Sequence, residues 1–161
     1  MENPYESETG CCPRFEPEPW DEKELHWDEK LFIKDKVRCL FYIPLNFGKA
    51  MLRCMDKMKK ADAYTPEQPI VLSDHTSPWN MDLYIEASKD VPNTENAKFS
   101  GTYLTKVFEG PYKNTRIWCK DMQDWVKAQG KEIKRHLMYY TTCPKCAKHY
   151  GKNYVVYFAQ V

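Results

Sequence analysis

The sequence predicts an α+β fold: duplicated β-α-β-β units sharing one antiparallel sheet with two amphipathic helices, and a ligand cleft at the pseudo-twofold axis. Three observations carry it. Two stretches repeat their apolar residues at helical spacing, around Met51–Met58 and Trp118–Val126. Each is flanked by runs of β-type residues, and the order strand–helix–strand–strand occurs twice. Neither helix can bury its stripe alone, so packing both on one sheet is the economical solution.

The chain of 161 residues is long enough for one full core or for two small halves sharing one. Its first thirty residues form an acidic, Pro-rich arm, with four of the 11 prolines before residue 20. That arm holds ten acids against three bases, so the net charge of +1 conceals a basic body. The arm would repel phosphates, which argues against a nucleic-acid partner. Within it Trp-Asp-Glu-Lys occurs twice, at Trp20 and Trp27, and the reading is a strand or extended segment clamped to the body by its indoles.

The domain proper is expected over residues 31–161, with repeats at about 36–90 and 98–161. "KVRCLFYIPL" reads as a strand ended by Pro44, and "NFGKAMLRCMDKMKKA" as a helix with a Lys-rich last turn. "PIVLSDH" and "WNMDLYIEAS" are the next two strands. In the second, Trp79, Met81, Leu83 and Ile85 alternate with Asn80, Asp82, Tyr84 and Glu86, an apolar face against a polar one. "GTYLTKVFEG" opens the second repeat, "NTRIWCKDMQDWVKAQG" is its helix stopped by Gly130, and "KEIKRHLMYYTT" and "NYVVYFAQV" close it.

No apolar run, Leu40–Leu45 included, is long enough to span a membrane, and the acidic, polar start reads as no signal peptide. The expectation is a cytoplasmic protein with no membrane partner. Seven cysteines then read as mostly reduced thiols. The pair Cys143-Pro-Lys-Cys146 offers half a zinc site, which Cys11 and Cys12 could complete, or a redox pair, or a loop. Adjacent cysteines make an awkward second pair of ligands, so the reading is no metal and no cofactor, with Pro144 and Gly151 shaping a long hairpin loop between the last two strands.

The string "SGTYLTKVFEGPYKN" and the helix after it supply Gly101, Tyr103, Gly110, Pro111, Tyr112 and Trp125. In these positions the chain resembles the GyrI-like small-molecule-binding family over about residues 36–161. The resemblance implies a ligand site between repeats, in a stand-alone member of the cyclopropanoid hydrolase type that detoxifies strained, genotoxic xenobiotics. Two departures stand out. No helix-turn-helix precedes residue 36, and Met138 occupies the place where regulator-type members carry a drug-pairing Glu ahead of a Tyr corresponding to Tyr140.

Ring-opening hydrolysis needs a positioned water, a carboxylate to activate it and flat aromatic walls. Glu109 and Asp82 are the candidate catalytic carboxylates. Trp79, Tyr84, Glu86, Tyr103, Tyr112 and Tyr140 are the candidate ligand-binding residues for a bulky aromatic or hydrophobic small molecule. The bland alternative puts Asp82 and Glu86 on a wet strand face, where they merely solubilise it. Two other functions stand beside hydrolysis: a non-catalytic sensor or sequestering protein, and a haem- or zinc-binding carrier.

Overall fold

In the computed structural model, residues 15–141 and 144–161 are described, with side chains for all of them but 144 and 145. The elements are β1 (Lys23–Leu40), β2 (Ile43–Pro44), α1 (Phe47–Ala61), β3 (Val71–Ser77), β4 (Asn80–Glu86), β5 (Glu95–Glu109), a 3₁₀ turn (Tyr112–Asn114), α2 (Thr115–Ala128), β6 (Arg135–Tyr140), α3 (Pro144–Tyr150) and β7 (Tyr154–Gln160). Strand pairing is antiparallel throughout the β1–β2, β1–β4, β3–β4, β5–β7 and β6–β7 ladders. The fold is therefore α+β and dominated by antiparallel sheet.

The chain divides into two units. Among the described residues the first contains Asp28–Ser100, and the second joins residues 15–27 to Gly101–Val161. β1 and β5 are long enough to contribute to both.

In the first unit β1, β4 and β3 pair side by side, with Ile33 opposite Ile85 and Val37 opposite Met81. Alternation puts Ile33, Val37, Met81, Leu83 and Ile85 on one face, where Ala50, Cys54 and Met58 of α1 bury against them. α1 ends where Asp62 turns left-handed (φ 51°) and its amide bonds back to Lys59 and Met58. β1 does not run on to Pro44, as the apolar run suggests. It breaks at Phe41 and Tyr42, the two loop residues of a hairpin in which Leu40 faces Ile43. Both take left-handed backbone, at φ 48° and 70°. Hairpin twist demands that conformation and Asn-Gly satisfies it cheaply, whereas two aromatic residues hold it at a cost of about 1–3 kcal/mol each.

In the second unit β7 lies between β5 and β6. Trp118, Met122 and Val126 of α2 bury against Leu104, Met138, Val155, Tyr157 and Ala159. The opposite face carries Tyr103, Phe158 and Tyr139. Trp27 covers Tyr103 at 4.6 Å and Phe158 at 5.7 Å, and Trp20 covers Tyr139 at 6.0 Å and Phe158 at 5.8 Å. The arm is also hydrogen-bonded here, since the Thr105 hydroxyl donates to the Trp20 carbonyl (2.5 Å) and the Val107 amide to Asp21 (3.1 Å).

Glycine is required at two positions of the "GTY…EGPY" string. Gly101 and Gly110 have φ of 118° and 138°, which L side chains rarely adopt. At Gly110 a Cβ would also meet the Asn114 amide nitrogen at 3.3 Å.

The stretch between the last two strands corrects the sequence expectation. It is not a plain hairpin loop, because Pro144–Tyr150 forms the helix α3 before Gly151 turns the chain (φ 73°). Proline opens that helix, where its missing amide proton costs nothing. Cys146 packs fully buried on its inner side, and Cys11, Cys12 and Cys143 lie outside the described residues.

Candidate functional site

The face of the first unit that turns away from α1 is built by period-two alternation on three strands. β4 contributes Asn80, Asp82, Tyr84 and Glu86, and β1 places Arg38, Lys36, Lys34 and Phe32 opposite them in that order. β3 adds Asp74 opposite Asp82 and Leu72 opposite Tyr84. A cationic stripe thus meets an acidic one, an arrangement that cross-strand pairing rewards.

Around Asp82 and Tyr84 this face is not the wet surface that alternation alone suggests, although Lys36 and Arg38 on it are exposed. Asp82 is 9% exposed and Tyr84 5%. The Asp82 carboxylate accepts from the Asn80 amide (3.2 Å) and lies 3.6 Å from the Lys34 ammonium. Lys34 also reaches Glu95 at 3.7 Å and sits 5.7 Å over the Tyr84 ring. Burial works against the Lys34 charge, but Tyr84, Asp82 and Glu95 outweigh it and raise its pKa above that of an ordinary lysine. Lys34 is therefore cationic at neutral pH. Tyr84 packs edge-on against Phe99 (4.9 Å), which packs in turn on Phe32 (4.9 Å), so an aromatic wall adjoins the ion pair.

Glu86 has a different setting. It pairs with Lys30 at 2.8 Å and accepts the Ile70 amide at 3.0 Å, fastening the segment before β3 to the end of β4. Trp79 does not share the buried face of Met81, Leu83 and Ile85. It lies in the turn before β4, 55% exposed, with its indole 5.0 Å from Phe41.

The remaining candidates belong to the second unit and fall into separate places. Tyr103 has no exposed surface and is walled in beneath Trp27. Tyr112 and Tyr140 meet edge to face at 5.3 Å. Register puts Tyr140 on the α2 side of the sheet and Tyr103 on the other. Glu109, at the end of β5, is exposed. A shallow depression of about 400 Å³ in this unit is lined by Glu24, Thr102, Lys131, Glu132, Lys134 and Val161, and none of the candidates touches it. Its Glu24–Lys131 ion pair (2.7 Å) and lack of aromatic walls do not suit a bulky apolar ligand.

Lys34 is the residue that the sequence reading missed. Its signal was present: Lys30, Phe32, Lys34, Lys36 and Arg38 alternate at strand spacing, complementary to the stripe on β4. The expected repeat began only at about residue 36, and the extended segment before it was read for its indoles alone, which hid Lys34. Among the described residues no three His, Cys, Asp or Glu side chains come together as a metal site. No helix of the described residues is long and apolar enough to cross a membrane.

The model of a family described as bacterial hydrolase matches residues 2–161 of the sequence. The chain belongs to the bacterial hydrolase family. Similar folds occur in this family member and in three solved structures from Listeria innocua. An uncharacterized conserved protein has a TM-score of 0.60 at 14% identity, covering 85% of this chain and 90% of its own. Two structures described as hydrolases give TM-scores of 0.58 and 0.59, each at 12% identity, covering 86% and 88% of this chain and 90% and 92% of theirs. At such identities the likeness is one of fold. No curated protein matches the sequence.

Proposed function

We propose that this bacterial hydrolase family member adds water to a bulky, largely apolar small molecule, with Asp82 as the carboxylate that activates the water. The observation that carries the reading is a nearly buried carboxylate, Asp82, fixed by Asn80 and standing 3.6 Å from Lys34 beside the aromatic wall of Tyr84. Membership of the family supports hydrolysis as the reaction class.

The finer reading follows the resemblance to GyrI-like proteins, with two repeated β-α-β-β units and a strained cyclopropane as substrate. Asp82 takes a proton from water as the oxygen attacks the ring methylene. The ring C–C bond breaks, and its electron pair passes into the conjugated carbonyl of the substrate. The oxygen that becomes anionic there takes a proton from the Tyr84 hydroxyl or from Lys34, and the Asp82 proton restores the donor. The sum is addition of one water. A cationic Lys34 lowers the energy of the developing anion in a site screened from solvent. Glu109 is the second candidate carboxylate, and Tyr103, Tyr112 and Tyr140 the further aromatic candidates of this reading.

Incubation with a cyclopropane-bearing alkylator, followed by mass spectrometry, tests it. A ring-opened, water-added product is expected. Asp82→Asn is expected to cut turnover by on the order of 10²–10⁴-fold with ligand binding retained, while Glu109→Gln, at an exposed position, leaves most of it. Loss confined to Glu109→Gln would move the base to the second unit. Stoichiometric binding without product would make the protein a sequestering one. A Soret band or bound zinc in the purified protein would point to a carrier.

A further inference from the structure

Independently of that reading, the first unit carries a feature that hydrolysis does not use. Five large apolar side chains in a six-residue stretch, Leu40, Phe41, Tyr42, Ile43 and Leu45, are each about half or more exposed, and Trp79 extends the patch through its contact with Phe41. Such a concentration marks an interaction surface. The stretch is not loose. The Tyr42 amide donates to the Pro78 carbonyl (2.9 Å), Cys39 to Trp79 (2.9 Å) and Leu45 to Arg38 (2.8 Å). The backbone holds two consecutive aromatic residues in left-handed conformation at the turn, where Asn-Gly would relieve strain and remove apolar surface together.

The charge around the tip identifies the partner's chemistry. Residues 34–60 hold eight bases and two acids. Both acids are engaged, Asp35 by Arg53 at 2.9 Å and Asp56 by Lys60 at 2.9 Å. Asp82, opposite Lys36 in register, is engaged by Lys34. Lys36, Arg38 and Lys49 are exposed and have no ion pair among the described residues. The partner must therefore be both apolar and anionic. A second copy meeting the patch symmetrically would bring these three cations against their own equivalents, which is unfavourable.

We propose that the Leu40–Leu45 hairpin, with Trp79, docks on an anionic lipid bilayer, the apolar tip entering the headgroup region while Lys36, Arg38 and Lys49 meet the lipid phosphates. Aromatic residues suit that boundary, and the basic rim supplies the electrostatic part of the attraction. The sequence expectation of no membrane partner came from the lack of a spanning segment, and a surface-bound protein needs none.

Co-sedimentation with vesicles of equal phosphatidylcholine and phosphatidylglycerol, against phosphatidylcholine alone, provides the test. The wild type is expected to partition onto the anionic vesicles and to be released by salt. Phe41→Asn combined with Tyr42→Gly installs a favourable turn, so the fold is retained and its melting temperature rises. That variant is expected to lose at least about tenfold in partitioning, as two interfacial aromatic side chains are removed. Replacing Lys36, Arg38 and Lys49 by Gln together is expected to cost on the order of a hundredfold and to flatten the salt dependence. Failure of the wild type to bind anionic vesicles, or unchanged binding by the Asn-Gly variant, would overturn the proposal. Concentration-dependent dimers abolished by the Asn-Gly change, without vesicle binding, would instead assign the patch to a second copy.

Discussion

Asp35 projects from β1 toward α1, where Arg53 donates to it at 3.0 Å and the Cys54 thiol lies 3.6 Å away. Burial pushes its pKa up, yet Arg53, the Lys36 amide and Cys54 together bring it below the ordinary carboxylate value. The same carboxylate, second to burial itself, helps push the Cys54 thiol up to about 12. Cys54 should therefore resist iodoacetamide at mildly alkaline pH in the folded protein and react only after denaturation, as peptide mapping would show. His75 works the other way. Burial lowers its pKa below the ordinary 6.5, with Asp74 opposing. As pH falls below 6.5 the unfolded chain takes up this proton before the folded one does. The contribution of His75 is thus present above that pH and lost on descending toward the folded pKa. The melting temperature should fall with pH in that window, and His75→Gln should flatten the slope.

At the scale of elements, α1 stops at a left-handed Asp62 where glycine is the preferred residue. Asp62→Gly is expected to stabilise the protein by roughly 0.5–1 kcal/mol in urea denaturation, because it relieves that conformation. Gly110→Ala should do the reverse, costing about 1–3 kcal/mol, since it puts a Cβ at φ 138° against Asn114. The helices α1 and α2 and most strand cores were legible in the sequence, because Ala50, Cys54, Met58 and Trp118, Met122, Val126 keep a strict helical spacing. The helix α3 was not, for its seven residues are too few to display a period. The Phe41-Tyr42 turn escaped because nothing in an apolar run announces left-handed backbone. Asp82 and Tyr84 were found by alternation, but their burial depends on what covers their face, and no local pattern records that.

For the molecule as a whole, the acidic arm packs its residues 15–27 against the second unit. Its Glu22 and Glu24 pair with Lys106 and Lys131 at 3.6 and 2.7 Å, and its indoles roof Tyr103, Tyr139 and Phe158. The ion pairs are exposed and worth little, so the indoles are expected to carry the stabilisation. A chain beginning at residue 28 should therefore fail to fold its second unit. Near-ultraviolet circular dichroism should lose much of its aromatic signal, and the truncated protein should bind anilinonaphthalene sulfonate where the full chain does not.

The joining of residues 15–27 to Gly101–Val161 in one unit also dictates an order of assembly. Among the described residues the first unit is drawn from one uninterrupted stretch, Asp28–Ser100, and can fold once that stretch has left the ribosome. The second must wait, because β7, the strand between β5 and β6, is made only when synthesis reaches Tyr154–Gln160. Throughout elongation Trp20 and Trp27 hang ahead of a folded unit with their eventual contacts unmade. The nascent chain thus spends that interval with the indole-bearing, acidic segment exposed, an invitation to a holding chaperone that only the synthesis of β7 withdraws.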